Sequence, residues 1–226
     1  IMRMKNIEAF NIYSQYLLNN FPNWEGKHVR ATKEKIAKIM LEAQTDSFNN
    51  NFQLSTDEIK NKLWFWSDHH FFHANIILPT YSDRPFKDVG HMNQMLLKNY
   101  ASKIKEDDIV VFGGDIAFKE FDVVDNWINT LPGKKIWVVG NHDVSKTKLV
   151  NFHWADEVCA VFTFKYNEIE YIVSHYPIHD SLIPKGMINI HGHTHRYDMK
   201  DVHLNMCVEK TNYQPEQFLD LIKRKK

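Results

Sequence analysis

The chain has 226 residues, enough for one sizeable α/β domain with an appendage and too few for two large domains, which commonly run about 100 to 200 residues each. A hydrophobic fraction of 43% and an aromatic fraction of 13% exclude a disordered chain. Lys plus Arg and Asp plus Glu balance at 28 each, which excludes a global field that would concentrate nucleic acid or an anionic membrane.

Residues 1–62 carry Ile7, Phe10, Tyr13, Tyr16 and Leu17, then Ile36, Ile39, Met40 and Ala43, both sets at helical spacing. They predict a helical N-terminal extension, broken around Pro22 and ended by the polar run 45–51. Its apolar stripes should pack on the main domain or on a second copy of the chain, giving a homo-oligomer. The lysines of the second helix are diluted by Glu34 and Glu42 and read as a solvated face.

From residue 63 the texture changes to short apolar runs ending in polar, Gly or His residues. Strands are predicted over 63–67, 108–112, 135–139, 158–164, 168–173, 188–190 and 202–208, and helices over 88–105, 118–130 and 215–223. Helices between the early strands and a cluster of later strands predict a domain over 63–226 built as a layered α/β/β/α sandwich. Cys159 and Cys207, far apart in apolar surroundings, read as buried thiols of a reducing compartment. No stretch approaches the roughly 20 apolar residues of a membrane span, and residues 1–5 lead into no signal-peptide core, so a cytoplasmic protein is expected. The basic run 223–226 reads as a solvated helix end.

Thirteen histidines are many for this length, and most follow residue 68. Each candidate ligand falls at or just past the carboxyl end of a predicted strand, the edge where α/β sheets bind ligands. Asp68 and His70 follow the first strand, and in extended backbone they would share a side while His69 points away. Gly113, Gly114 and Asp115 follow the second; alone, that is a turn. Gly140, Asn141, His142 and Asp143 follow the third, offering an amide oxygen beside an imidazole. Ser174 and His175 end a later strand, and His191, Gly192, His193, Thr194 and His195 end another, with alternate histidines on one face. Five such motifs in this order have no economical explanation as ordinary turns.

Asp68 with His70, Gly114-Asp115, Gly140-Asn141-His142-Asp143, His175 and Gly192-His193-Thr194-His195 resemble the full signature of the calcineurin-like metallophosphoesterases over residues 63 to 213. The stretch 67–77, Arg84-Pro85-Phe86 and the segment 205–215 further resemble a compact bacterial and phage subgroup. The resemblance implies a four-layer metallophosphoesterase sandwich. It puts Asp68, His70 and His195 on one metal and Asn141, His175 and His193 on a second, with Asp115 bridging and His142 as proton donor. It implies a metal-bridging hydroxide as nucleophile for in-line attack, with the cations about 3.5 to 4 Å apart. The acid partner of His142 would be Asp115 or a nearby carboxylate, and Asp143 a residue behind the ligands. The mixed donor set suits Mn, Fe, Zn, Ni or Co, manganese favoured, over Ca.

Protein phosphatases of the superfamily carry Asp-Arg-Gly after the second motif and a Glu in the third, whereas Ile116, Ala117, Phe118 and Lys119 follow Asp115 here and the third motif ends in Asp143. DNA-repair nucleases usually carry a His where Phe118 stands, and a large cap. These departures favour a phosphodiesterase for nucleotide-type or other small diesters; a phosphomonoesterase, or a metal-binding interaction module without turnover, are the alternatives. Nucleic acid is not indicated as a partner, nor is a membrane. Arg84 is a candidate phosphate clamp, because a guanidinium matches phosphate bidentately, and His73 a candidate substrate contact. His179 reads as a partly exposed histidine.

Overall fold

The computed structural model describes residues 54–143, 152–180, 183–200 and 202–225. Along the chain run α1 (Thr56–Asn61), β1 (Leu63–Trp66), a 3-10 turn (Ala74–Ile77), α2 (Val89–Ala101), β2 (Ile109–Phe112), α3 (Phe121–Asn129) and β3 (Lys134–Val138). There follow β4 (Glu157–Cys159), β5 (Val161–Tyr166), β6 (Ile169–Ser174), β7 (Met187–His191), β8 (His203–Asn205), β9 (Glu216–Gln217) and α4 (Phe218–Lys223).

The strands form two sheets, ordered β4-β3-β2-β1-β9 and β5-β6-β7-β8. In the first, β1 to β4 run parallel and β9 is antiparallel to β1. In the second, β5 and β6 pair antiparallel while β6, β7 and β8 run parallel. Parallel neighbours need a crossover, which α2 supplies between β1 and β2 and α3 between β2 and β3.

Period-2 alternation sends each strand of the first sheet into two cores. Trp66, Val110, Phe112, Trp137 and Val139 face the helices, meeting Met92, Leu96 and Tyr100 of α2 and Val124 and Ile128 of α3. Leu63, Phe65, Ile109, Val111, Ile136 and Val138 face the second sheet, meeting Phe164, Tyr171, Val173, Ile190 and Leu204. Phe218 and Leu221 of α4 close that inner core, Phe218 lying 5.2 Å from Phe164 and 5.0 Å from Tyr171. Helix α2 starts at Asp88, whose carboxylate accepts the His91 N–H at 2.8 Å, and Ser55 and Glu58 cap α1 reciprocally.

Two expected elements change. The single strand over 158–164 is two strands, β4 in the first sheet and β5 in the second, and Ala160 lies between them. An unbroken apolar run hides such a sheet switch, because both halves carry the same apolar composition. The helix over 215–223 begins only at Phe218, since Glu216 and Gln217 pair with Phe65 and Trp64. Of the expected extension, residues 54–62 are described and hold α1; the two amphipathic stripes, and any outer helical layer or self-association they would supply, lie outside the described residues. Among the described residues no helix is long and apolar enough to cross a membrane. Both cysteines are free thiols, Cys207 buried and Cys159 half-buried.

Candidate metal centre

The loops leaving β1 and β2 stay zipped together past the strands. Asp68 N–H donates to the Gly114 carbonyl and His70 N–H to that of Asp115, each at 3.0 Å, and Phe71 N–H to that of Ile116 at 2.9 Å. Within these loops Asp68, His70 and Asp115 have φ of 59°, 51° and 53°, and beyond β7 His193 and His195 have 67° and 50°. The extended geometry expected for Asp68 and His70 is thus replaced by left-handed residues, which side chains other than Gly, Asn and Asp seldom adopt. Such strain clusters where surrounding structure enforces a site. Gly114, at φ 92°, passes so near Gly140 that an added Cβ would lie 2.5 Å from its nitrogen. A Cβ on Gly192 would collide with the Asp68 carboxylate, so that glycine makes room for a side chain of the site itself.

Three groups of potential ligand atoms come together, each within 4.8 Å: Asp68, His70 and His195; His70, Asp115 and His142; and Asp115, His175 and His193. Asn141 joins the last through its Oδ1, 3.0 Å from His175 Nε2. All seven expected ligands therefore converge from five loops. Asp115 is the hub, its Oδ2 lying 3.4 Å from His175 Nε2, 3.6 Å from His70 Nε2 and 4.0 Å from His142 Nε2. These spacings exceed the roughly 2.7–2.9 Å of charge-assisted bonds and suit atoms that share a cation. Both ring nitrogens of buried His70 lack a hydrogen-bond partner, and a ligand role accounts for one of them. Burial opposes ionisation of Asp115, but His175, His142 and His70 hold its carboxyl well below the usual range. Burial likewise disfavours a charged His175, yet Asp115 raises it to about 10. The centre favours positive charge next to Asp115, and imidazole, amide and carboxylate donors fit divalent transition metals.

Behind the ligands stand residues that hold them. His195 Nδ1 lies 2.9 Å from Glu209 Oε1, and the same oxygen accepts from Arg84 Nε at 2.9 Å and Nη2 at 2.7 Å. Arg84 also donates to the carbonyls of Asp68 at 2.6 Å and His69 at 2.8 Å. Burial works against Glu209 ionisation, but Arg84 and His195 outweigh it and lower its pKa. The Asp68 carboxylate accepts from Ser67 Oγ at 2.5 Å, Cys207 Sγ at 3.2 Å and the His193 N–H at 3.0 Å. Asn205 Nδ2 pins the loop after β7 through Thr194 Oγ1, the His195 carbonyl and the Tyr197 carbonyl. In the other half His175 Nδ1 donates to the Gly113 carbonyl at 2.8 Å. Asp143, fully buried, accepts from the N–H groups of Asp115, Ile116 and Gly140 and from Trp137 Nε1, tying the loops after β2 and β3 together. Burial, with the Asp115 charge beside it, raises its pKa to about 6.

Among the expected site residues, Arg84 is the one whose role the geometry corrects. Its side chain has no solvent exposure and its guanidinium is committed to Glu209 and two carbonyls, which leaves no face for a substrate phosphate. His142 stands at the rim with its side chain 40% exposed, its own N–H donating to Asp115 Oδ1 at 2.8 Å. His73 is 5.4 Å from the His70 ring and stacks under Phe118 at 4.1 Å. His69 turns into the core between Trp66 and Phe112, as expected of the residue pointing away. Glu209, Cys207, Ser67 and Asn205 were not singled out by the motifs. All four do lie within segments whose resemblance was noted without roles, Ser67 at the start of 67–77 and the other three in 205–215.

No family model matches the chain. An uncharacterized protein of Methanocaldococcus jannaschii, MJ1445, is 31% identical over 171 residues, covering 71% of this chain and 89% of its own. The Aquifex aeolicus protein of unknown function AQ665 superposes with a TM-score of 0.56 at 25% identity, over 72% of this chain and 98% of its own. An archaeal phosphodiesterase gives a TM-score of 0.37 at 16% identity, over 64% and 81%, a likeness too loose to carry weight.

Proposed function

The chain belongs to the family of MJ1445, and from its motif set we propose that it is a calcineurin-like metallophosphoesterase, a dinuclear-metal phosphodiesterase acting on nucleotide-type or other small diesters. The observation that carries the reading is Asp115, a carboxylate set between two clusters of ligand atoms with His142 beside it. Asp68, His70 and His195 would hold one ion and Asn141, His175 and His193 the other. The ions would acidify water and neutralise the phosphoryl oxygens. Any of Mn, Fe, Zn, Ni or Co suits the donors, with manganese favoured.

The chain's own residues supply the rest. Asp115 Oδ1 fixes the backbone at His142, and its Oδ2 stands 4.0 Å from the imidazole, so the ring is placed at the edge of the centre. From there His142 donates a proton to the departing oxygen. The loops past β1 and β2 are braced by main-chain hydrogen bonds, so the ligands are arranged before substrate arrives. Phe118, rather than a histidine, follows the Asp115 loop and stands 47% exposed, which favours a small diester in an open cleft over a repair-nuclease substrate.

Protein reconstituted with manganese should hydrolyse bis-p-nitrophenyl phosphate faster than p-nitrophenyl phosphate. Inertness toward both, and toward nucleotides, across several metals would instead indicate a binding module. His142→Ala should lower kcat by about 10²- to 10⁴-fold while metal content by elemental analysis and the melting temperature hold. Wild-type turnover in that variant would remove His142 from the acid role.

A further inference from the structure

The cleft carries more aromatic surface than cleavage of a bare phosphate ester needs. Five of the six large hydrophobic side chains that stand exposed among the described residues, Leu78, Tyr81, Phe118, Tyr197 and Met199, lie on loops following His70, Asp115 and His195. Scattered single exposures need no explanation, but a group carried by the loops that also carry the candidate ligands does.

Phe118 is the best placed of them. One face lies flat on His73, at 4.1 Å and 10° between planes, and its ring centre is 5.9 Å from that of His142. With 47% of the residue exposed, the ring has surface to offer. Tyr81, 52% exposed, meets His73 edge-on at 6.0 Å. Arg196 ties the Tyr81 loop to the loop after His195, donating to the Tyr81 carbonyl at 3.4 Å and lying over the Tyr197 ring.

The shape of this surface selects its occupant. A ring stacked on a buried imidazole is a flat, rigid platform, suited to another planar π-system and poorly suited to a flexible aliphatic chain. It stands beside the proton donor, so its occupant is the organic part of the ester being cleaved, within about one sugar's length of the phosphorus. Among phosphodiesters, the common planar group set one sugar away from a phosphate is the nucleobase. Resting on the phosphodiesterase reading, we propose that Phe118, backed by His73 and flanked by Tyr81, forms a nucleobase-binding subsite, so that the substrates are nucleotide diesters held by stacking. Stacking tolerates every base, so little discrimination among bases is expected.

Calorimetry on the metal-loaded protein tests this with adenosine 5′-monophosphate and ribose 5-phosphate, which share the phosphate and differ in the base. The nucleotide should bind roughly ten- to hundredfold more tightly. Phe118→Ala should bring it down to the affinity of ribose 5-phosphate, and Phe118→Trp should keep the preference. Equal binding of the two by the unaltered protein would overturn the subsite, as would a Phe118→Ala variant that weakens both ligands alike. A parallel assay with methyl p-nitrophenyl phosphate separates the two readings. Turnover without base preference would end the subsite and spare the phosphodiesterase; base preference without turnover of any diester would do the reverse.

Discussion

His195 and His175 hold corresponding places in the two halves of the candidate metal centre, yet different chemistry stands behind their rear nitrogens. Behind His195 is Glu209, a buried carboxylate neutralised by Arg84; behind His175 is the Gly113 carbonyl, a peptide group. The first half is braced by side-chain charge and the second mainly by backbone. A partner behind a ligand orients it and raises its basicity in either case, but only the charged brace is open to side-chain substitution. The Asp68 half should therefore be the one that variation can tune, and the one it can break.

Asp115 belongs to both halves, so Asp115→Ala should have the largest effect. Turnover should disappear and the bound metal measured by elemental analysis should fall for both ions; retention of one ion would show that the halves stand independently. Arg84→Ala comes next, because it leaves Glu209 buried without its counter-charge. A loss of about 3 to 5 kcal/mol in urea unfolding is expected, and Arg84→Lys should recover little of it, since an ammonium cannot reproduce the planar fork. Full stability with a raised KM would restore Arg84 as a phosphate contact. Glu209→Gln keeps the shape and removes the charge, and should weaken one metal by about 10- to 100-fold in competition titrations while leaving the other unchanged. Equal weakening of both would erase the contrast between the halves. Cys207→Ser is the mildest test: it retains a donor to Asp68, and a melting shift within about 2 to 4 °C is expected.

The convergence of the candidate ligands was legible in the sequence because each sits where an apolar run stops, and strand ends on one edge of a parallel sheet come together. His175 and His193, eighteen positions apart, meet because β6 and β7 pair in parallel with Ser174 opposite His191. The supports were hidden for an equally physical reason. Glu209 comes after β8, in a stretch of turns with no periodicity to mark which side chains point inward, and its value lies in an ion pair with a residue 125 positions earlier. Arg84 read as a phosphate clamp because sequence carries the guanidinium's chemistry and not its burial. The left-handed turns were invisible too, since Asp68 and His70 would share a side equally well in an extended chain.

Those turns also limit how this protein can change. A left-handed residue other than glycine costs roughly 1–2 kcal/mol, and the usual way to recover it is substitution by glycine. At Asp68, His70, Asp115, His193 and His195 that substitution would erase a side chain of the proposed metal centre. The most accessible gains in stability are thus closed to selection where the chemistry is carried out. A more heat-resistant relative would have to draw its advantage from the sheets, the helices or the surface, leaving the strained centre as it is.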